Sequence, residues 1–218
     1  NCIRQRRRLK LKQAERQARS RKEILEAALD EFSCQPYGAV TIDGLCARHG
    51  ISKGMFYHYF KNKESLFLSL VGQVFQGLAA YLSQWMAQAS FADTAPTIQA
   101  FFLARAYYFA QHPQEKPIFE TAMFHRPPQL AEQIAQLHAP LEAINHDFLF
   151  QVFSQLPLRP GLDRETVYRY FSGVECVFWP LLDRFRAEGP VEDVQSLVSA
   201  SAALLDILIF GVVDPLRR

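Results

Sequence analysis

The stretch 41–63, TIDGLCARHGISKGMFYHYFKNK, constrains what this chain can fold into more than any other part of it. Ile42, Leu45, Cys46 and His49 fall at i, i+3, i+4 and i+7, a spacing that gives a short helix one mostly apolar face. Thr41 stands where the N-cap of that helix belongs. Gly50 follows the last periodic residue, where glycine can take the left-handed conformation that closes a helix and lets Ile51 fold back into the core. Ser52 opens a second helix in which Phe56 and Phe60 stand one turn apart and face inward. Two short helices joined by so tight a turn are a helix-turn-helix.

The residues left on the outer side are suited to a nucleic-acid duplex. Lys53 can reach a phosphate or the acceptor edge of a guanine, Gly54 admits a close backbone approach, and Met55 offers an apolar contact for a thymine methyl. Tyr57 and His58 add donors for phosphate oxygens. Lys63 begins the next helix, where its ammonium and the unpaired N–H groups of the helix end both favour a phosphate. A bare helix-turn-helix is a weak signal. The order of turn glycine, SKG, aromatic cluster and KNKE is far more specific.

These residues resemble the DNA-binding domain of the tetracycline-repressor-like (TetR) regulators, through RKEILEAALDEF at 21–32 and TIDGLCARHGISKGMFYHYFKNKESLF at 41–67. The strong match covers about the first third of the chain. The resemblance implies an all-α homodimer, with a small N-terminal DNA-binding domain and a larger C-terminal domain that binds a small ligand and dimerises. It further implies that Thr41, Ser52, Tyr57, His58 and Lys63 touch the DNA backbone while Lys53, Gly54 and Met55 face bases. Cys34-Gln35-Pro36-Tyr37 departs from the family pattern, which more often has a plain alanine-rich helix end and a glycine turn there.

Charge is distributed to match. Residues 1–63 hold 14 Lys and Arg against 6 Asp and Glu, and residues 64–218 hold 10 against 16, so the net charge of +2 conceals a basic end and an acidic remainder. A positive end attracts phosphate by counterion release, while the acidic remainder argues against nucleic acid wrapping the whole molecule. Arg4, Arg6, Arg7, Arg8, Lys10, Lys12, Arg16 and Arg19 form a basic arm over 1–20 with Glu15 as the one acid among them. Such an arm can enter a minor groove beside a helix-turn-helix, or be a frayed extension of the first helix.

Cys2, Cys34, Cys46 and Cys176 are scattered with no CxxC pairing, and the six histidines form no HExxH or other tight ligand cluster. A reduced, cytoplasmic protein with no cofactor and no metal is expected. Cys46 reads as a small apolar residue and Cys34 as a loop thiol. No N-terminal pattern of basic, apolar and small-residue cleavage regions is present.

Beyond Lys63 the chain reads as helix throughout. A long helix over 64–89 carries Phe67, Leu70, Val71, Val74 and Leu78 on one stripe and spans roughly 38 Å. Further helices are expected over 96–111, around 117–124, to about 156 with a kink or break at Pro140, from an Asp163 cap to about 188, and over 191–211. The domains expected are the arm at 1–20, the helix-turn-helix at 21–66, and a ligand-binding and dimerisation domain at 67–218. In the final helix Val194, Leu197, Ser201, Leu204, Leu205 and Leu208 form an apolar stripe, and Val167, Tyr170, Phe171, Val174, Phe178, Leu181 and Phe185 form another before it. Paired with their copies, these would make a four-helix interface about a two-fold axis. A membrane span over 197–213 is disfavoured by Asp206 near its middle.

Polar residues embedded in apolar surroundings mark a candidate small-molecule site: Arg105, Asn145 and Glu175, with Tyr108, Phe148 and Phe171 as aromatic lining. They either satisfy one another in the core or face a cavity. The function expected is that of a ligand-responsive, sequence-specific regulator, a homodimeric repressor released from double-stranded operator DNA by a small effector. An enzyme would need a convergent acid, base or nucleophile, which the scattered histidines do not supply. A purely architectural DNA-binding protein would have no use for the large aromatic C-terminal part.

Overall fold

The computed structural model describes residues 2–91, 94–155, 158–167 and 169, and every regular element among them is helical. Helix α1 runs Cys2–Cys34, α2 Ile42–His49, α3 Lys53–Tyr59 and α4 Lys63–Gln88. Helices α5 (Thr94–Gln111) and α6 (Glu115–Phe124), a single 3₁₀ turn (Pro128–Leu130) and α7 (Ala131–Gln155) follow. The expectation of an all-α chain holds.

The basic arm is not a leader ahead of α1 but its first turns. From Cys2 to Cys34 there is no proline or glycine, and Arg, Lys, Leu, Gln, Ala and Glu propagate a helix readily. The same helix takes in Cys34, expected in a loop, as its exposed last residue. Pro140 likewise lies inside α7, which continues through it.

By packing, the chain divides into two compact units, Asn1–Val74 with Pro113–Leu137, and Phe75–His112 with His138–Arg218. In the first, α1 packs against α2, α3 and α6. Its core joins Ile24, Ala28 and Phe32 of α1, Leu45 of α2, Phe56 of α3, Leu66 and Phe67 of α4, and Ile118 of α6, all buried. Each such large apolar side chain contributes about 1.5–3 kcal/mol. In the second, Phe101 and Phe148 lie parallel with ring centroids 3.7 Å apart, and Trp85 tilts against both at 5.7 and 6.3 Å. Asp163 caps a helical turn, its Oδ1 accepting from the Thr166 N–H at 2.8 Å, as expected. Apart from the buried Val167, the residues expected at the dimer interface lie outside the described residues, as do Phe171 and Glu175.

Candidate nucleic-acid interface

Each helix of the reading segment is closed by its own side-chain cap. Thr41 Oγ1 accepts from the Gly44 N–H at 3.1 Å, and Ser52 Oγ accepts from the Met55 N–H at 3.1 Å. Both hydroxyls are exposed, so each keeps its own O–H to donate outward, for instance to a phosphate oxygen. Gly50 has φ 64° and ψ 24°, the left-handed closure that lets the Ile51 N–H reach the Cys46 carbonyl at 3.0 Å. Asn62 caps α4 reciprocally, with Oδ1 accepting from the Ser65 N–H while its own N–H donates to Ser65 Oγ.

The buried aromatic side chains set the roll of α3. Phe56 and Phe60 are buried, and Lys53, Gly54, Tyr57 and His58 are exposed with Met55 half-exposed beside them. Tyr57 is 55% exposed, unusual for a tyrosine that also packs edge-on against Phe56. A Cβ built on Gly54 would meet nothing within 4 Å, so the space over this residue is open. One short helix thereby presents a cation, a bare backbone, a thioether, a phenol and an imidazole side by side.

The two lysines are already engaged. Lys53 Nζ lies 2.9 Å from Asp43 Oδ1 on α2, and that hydrogen bond raises its pKa. Lys63, half-buried, donates to the Tyr37 carbonyl at 3.0 Å and sits 4.4 Å from the centre of the Tyr37 ring. Tyr37 in turn packs on Phe67 at 4.9 Å and Phe32 at 6.0 Å. The segment that departs from the family pattern is thus pinned by aromatic packing, while burial and the Glu64 charge raise the Tyr37 phenol.

Sequence reasoning missed the element that holds α2 in place. Glu31 on α1 is 4% exposed, and its carboxylate accepts from Nε and Nη2 of Arg48, from Gln35 Nε2 at 3.0 Å, and contacts His49 Nε2 at 3.1 Å. The Arg48 hydrogen bonds dominate and hold the carboxyl below its ordinary range against the opposing effect of burial. Seventeen positions separate Glu31 from Arg48, so no local pattern joins them. Gly44 is part of the same device: a Cβ there would come within 2.9 Å of Thr41 Oγ1 and 3.0 Å of Arg48 Nη2. Cys46 is buried, and burial raises its thiol pKa.

Of the ligand candidates, Arg105 and Asn145 meet directly, the guanidinium donating to Asn145 Oδ1 and, at 3.0 Å, to the Phe101 carbonyl. Its carbon lies 4.2 Å from the centre of the Phe101 ring. Phe148 stacks on the other partner of this cluster, and Tyr108 is buried with its ring 4.3 Å from His112. A cleft of about 540 Å³ between the end of α4 and the start of α5 is lined by Trp85, Gln88, Pro96 and Thr97, so it adjoins the aromatic cluster through Trp85. Among the described residues no group of three or more His, Cys, Asp or Glu could hold a metal ion.

A capped helix-turn-helix thus turns lysine, glycine, methionine, tyrosine and histidine outward together, an arrangement suited to a DNA duplex. Residues 24–70 match the family model for bacterial regulatory proteins, tetR family. The uncharacterized HTH-type transcriptional regulator YdgC of Bacillus subtilis (strain 168) is 24% identical over 196 residues, 88% of this chain and 92% of that protein. In fold, the chain is similar to a TetR family transcriptional regulator from Chloroflexus aurantiacus J-10-FL, with 22% identity, TM-score 0.57, and 90% and 94% of the two chains covered. It is also similar to the transcriptional regulator FadR from Bacillus subtilis in complex with stearoyl-CoA, with 16% identity, TM-score 0.61, and 86% and 97% covered.

Proposed function

We propose that this chain is a homodimeric repressor that reads double-stranded operator DNA through α3 and leaves it when a small molecule binds. The observation that carries the reading is the outward placement of Lys53, Gly54, Tyr57 and His58 on a helix capped by Ser52 and anchored by the buried Phe56. Lys53, Gly54 and Met55 face bases; Thr41, Ser52, Tyr57, His58 and Lys63 hold the backbone. The protein acts in the cytoplasm, without cofactor or membrane. Two copies join through the segments expected to be helical over 163–188 and 191–211, so the operator is a pair of half-sites.

The effector is held by Arg105, Tyr108, Asn145 and Phe148 together with Phe171 and Glu175. A guanidinium set among aromatic rings suits a ligand with an anionic or polar head and an apolar body. The stearoyl-CoA held by the FadR relative makes long-chain acyl-CoA the first class to try. Selection of duplexes from a randomised library by the full chain, followed by anisotropy titration with and without stearoyl-CoA, tests the whole reading. A selected palindromic site, bound more weakly with the thioester present, is expected. Failure to enrich any sequence would remove the operator-reading role. Light scattering of a Leu204→Glu, Leu208→Glu variant tests the interface, and a folded dimer would move it elsewhere.

A further inference from the structure

The basic run at the start of the chain is part of a continuous helix, and this changes what it can do to DNA. An α-helix with its side chains is about 10–12 Å across, whereas the minor groove is about 6 Å wide. A segment that is helical from Cys2 onward does not enter that groove as an extended arm would. It can lie across the phosphates instead.

Its charges are spaced for that. Positions 4, 8, 12 and 16 are one helical row, i to i+4 throughout, and hold Arg4, Arg8, Lys12 and Arg16 over roughly 18 Å of axis. Of the four, only Lys12 has an acid within helical reach ahead of it, Glu15. From Arg19 the pattern changes: Arg19 pairs with Glu23 at 3.1 Å and Lys22 with Glu26 at 3.3 Å, so the charge downstream is compensated within the helix. The changeover falls where α1 meets the reading helix. The Arg21 guanidinium carbon lies 5.3 Å from the centre of the Phe60 ring, at the C-terminal end of α3. Upstream of that crossing, α1 continues as a helix through the four cations of this row.

We propose that α1 from Cys2 to about Arg16 is a phosphate clamp, a helical rail that lies along the DNA backbone flanking the operator and binds it without reading bases. The proposal rests on the DNA-binding reading of α3, because the rail needs that contact to place it. Its partner is the sugar-phosphate backbone of duplex DNA, and its effect is a strong, sequence-independent and salt-dependent share of the affinity.

The test uses the full chain and a variant with Arg4→Gln, Arg8→Gln, Lys12→Gln and Arg16→Gln, since glutamine keeps helix propensity while removing charge. A second variant, Arg6→Gln, Arg7→Gln and Lys10→Gln, removes charge from positions off the row. Anisotropy titrations from 50 to 200 mM salt would use the duplex selected by the full chain, with ten flanking base pairs that are either A·T-rich or G·C-rich. Loss of the row should make the salt slope shallower by about 3–4 units, equivalent to on the order of a hundredfold less salt sensitivity over that range. The ratio of selected to scrambled duplex affinity should remain, and the flank composition should not matter. An unchanged slope with selection intact overturns the rail and leaves the reading of α3 standing. Equal slope changes per charge in the two variants overturn the row, and an A·T preference lost with the row would mean minor-groove insertion. A full chain that binds phosphatidylserine vesicles and no duplex would overturn both readings. Retained selectivity in each variant shows that the reading domain is folded.

Discussion

The carboxylate of Glu31 on α1 receives both the Nε and the Nη2 of Arg48 on α2, so that one buried acid sets where the first helix of the reading pair lies. Charge-assisted, two-point pairing of this kind fixes orientation as well as distance. Because α2 and α3 are joined by a turn closed at Gly50, an error in α2 passes directly to the Lys53–His58 row.

Glu31→Gln should therefore lower the melting temperature by roughly 3–10 °C, through weakened hydrogen bonds to a charged partner. The effect should depend on pH. The folded carboxyl titrates below its ordinary value of 4.5, so the stability it contributes is complete above that value and is lost as pH falls through the folded pKa. Urea midpoints of the parent and the variant should accordingly converge as the pH drops below about 4.5. A gap that stays constant to pH 3 would mean the carboxylate charge is not what matters.

Lys53→Ala should leave the melting temperature nearly unchanged, since its pairing with Asp43 joins two exposed side chains. Binding to the selected operator should fall by roughly 10–100-fold, with relaxed preference at one base position. Lys63→Ala should instead weaken all duplexes alike, reduce the salt slope by about one unit, and loosen the Tyr37 loop that it bridges. Parallel titrations on selected and scrambled duplexes separate the two behaviours.

Gly54→Ala is expected to split stability from function. Nothing lies within 4 Å of the added Cβ, and the helix gains a better former, so the protein should be as stable or more so, by up to about 1 kcal/mol. The methyl would stand where DNA must come close. Operator affinity should drop by roughly tenfold or more, about 1.4 kcal/mol, in the same titration.

In the second unit, a Cβ on Gly77 would collide with the Tyr108 hydroxyl, so α4 is indented there to admit the ring. Gly77→Ala should cost about 1–3 kcal/mol by overpacking. Combining it with Tyr108→Phe, which removes the colliding oxygen, should recover most of the loss in chemical denaturation. No recovery would mean that the strain lies elsewhere.

What was legible in the sequence was what short-range rules govern. Thr41, Gly50, Ser52, Phe56 and Asp163 each act within four residues of themselves, and each does what spacing and residue type imply. The contacts that reach across the chain were not legible. Nothing local pairs Glu31 with Arg48, Asp43 with Lys53, or Tyr37 with Lys63. Nor does it signal that α6 packs against α1. For the basic arm the residues left two readings open, a segment entering a groove or an extension of the first helix, and the absence of any helix breaker up to Cys34 lets the helix continue.

The Lys53–Asp43 pair also bears on how such a protein searches a chromosome. An exposed lysine that already rests against a carboxylate gains somewhat less from an arbitrary phosphate than a free one would, because it trades one weakly held anion for another. Only a contact better than the carboxylate, such as the paired acceptors of a guanine edge, repays the exchange. Asp43 would then act as a competitor carried by the protein itself, keeping residence on random sequence short and leaving more of the population available for the few correct sites among very many wrong ones.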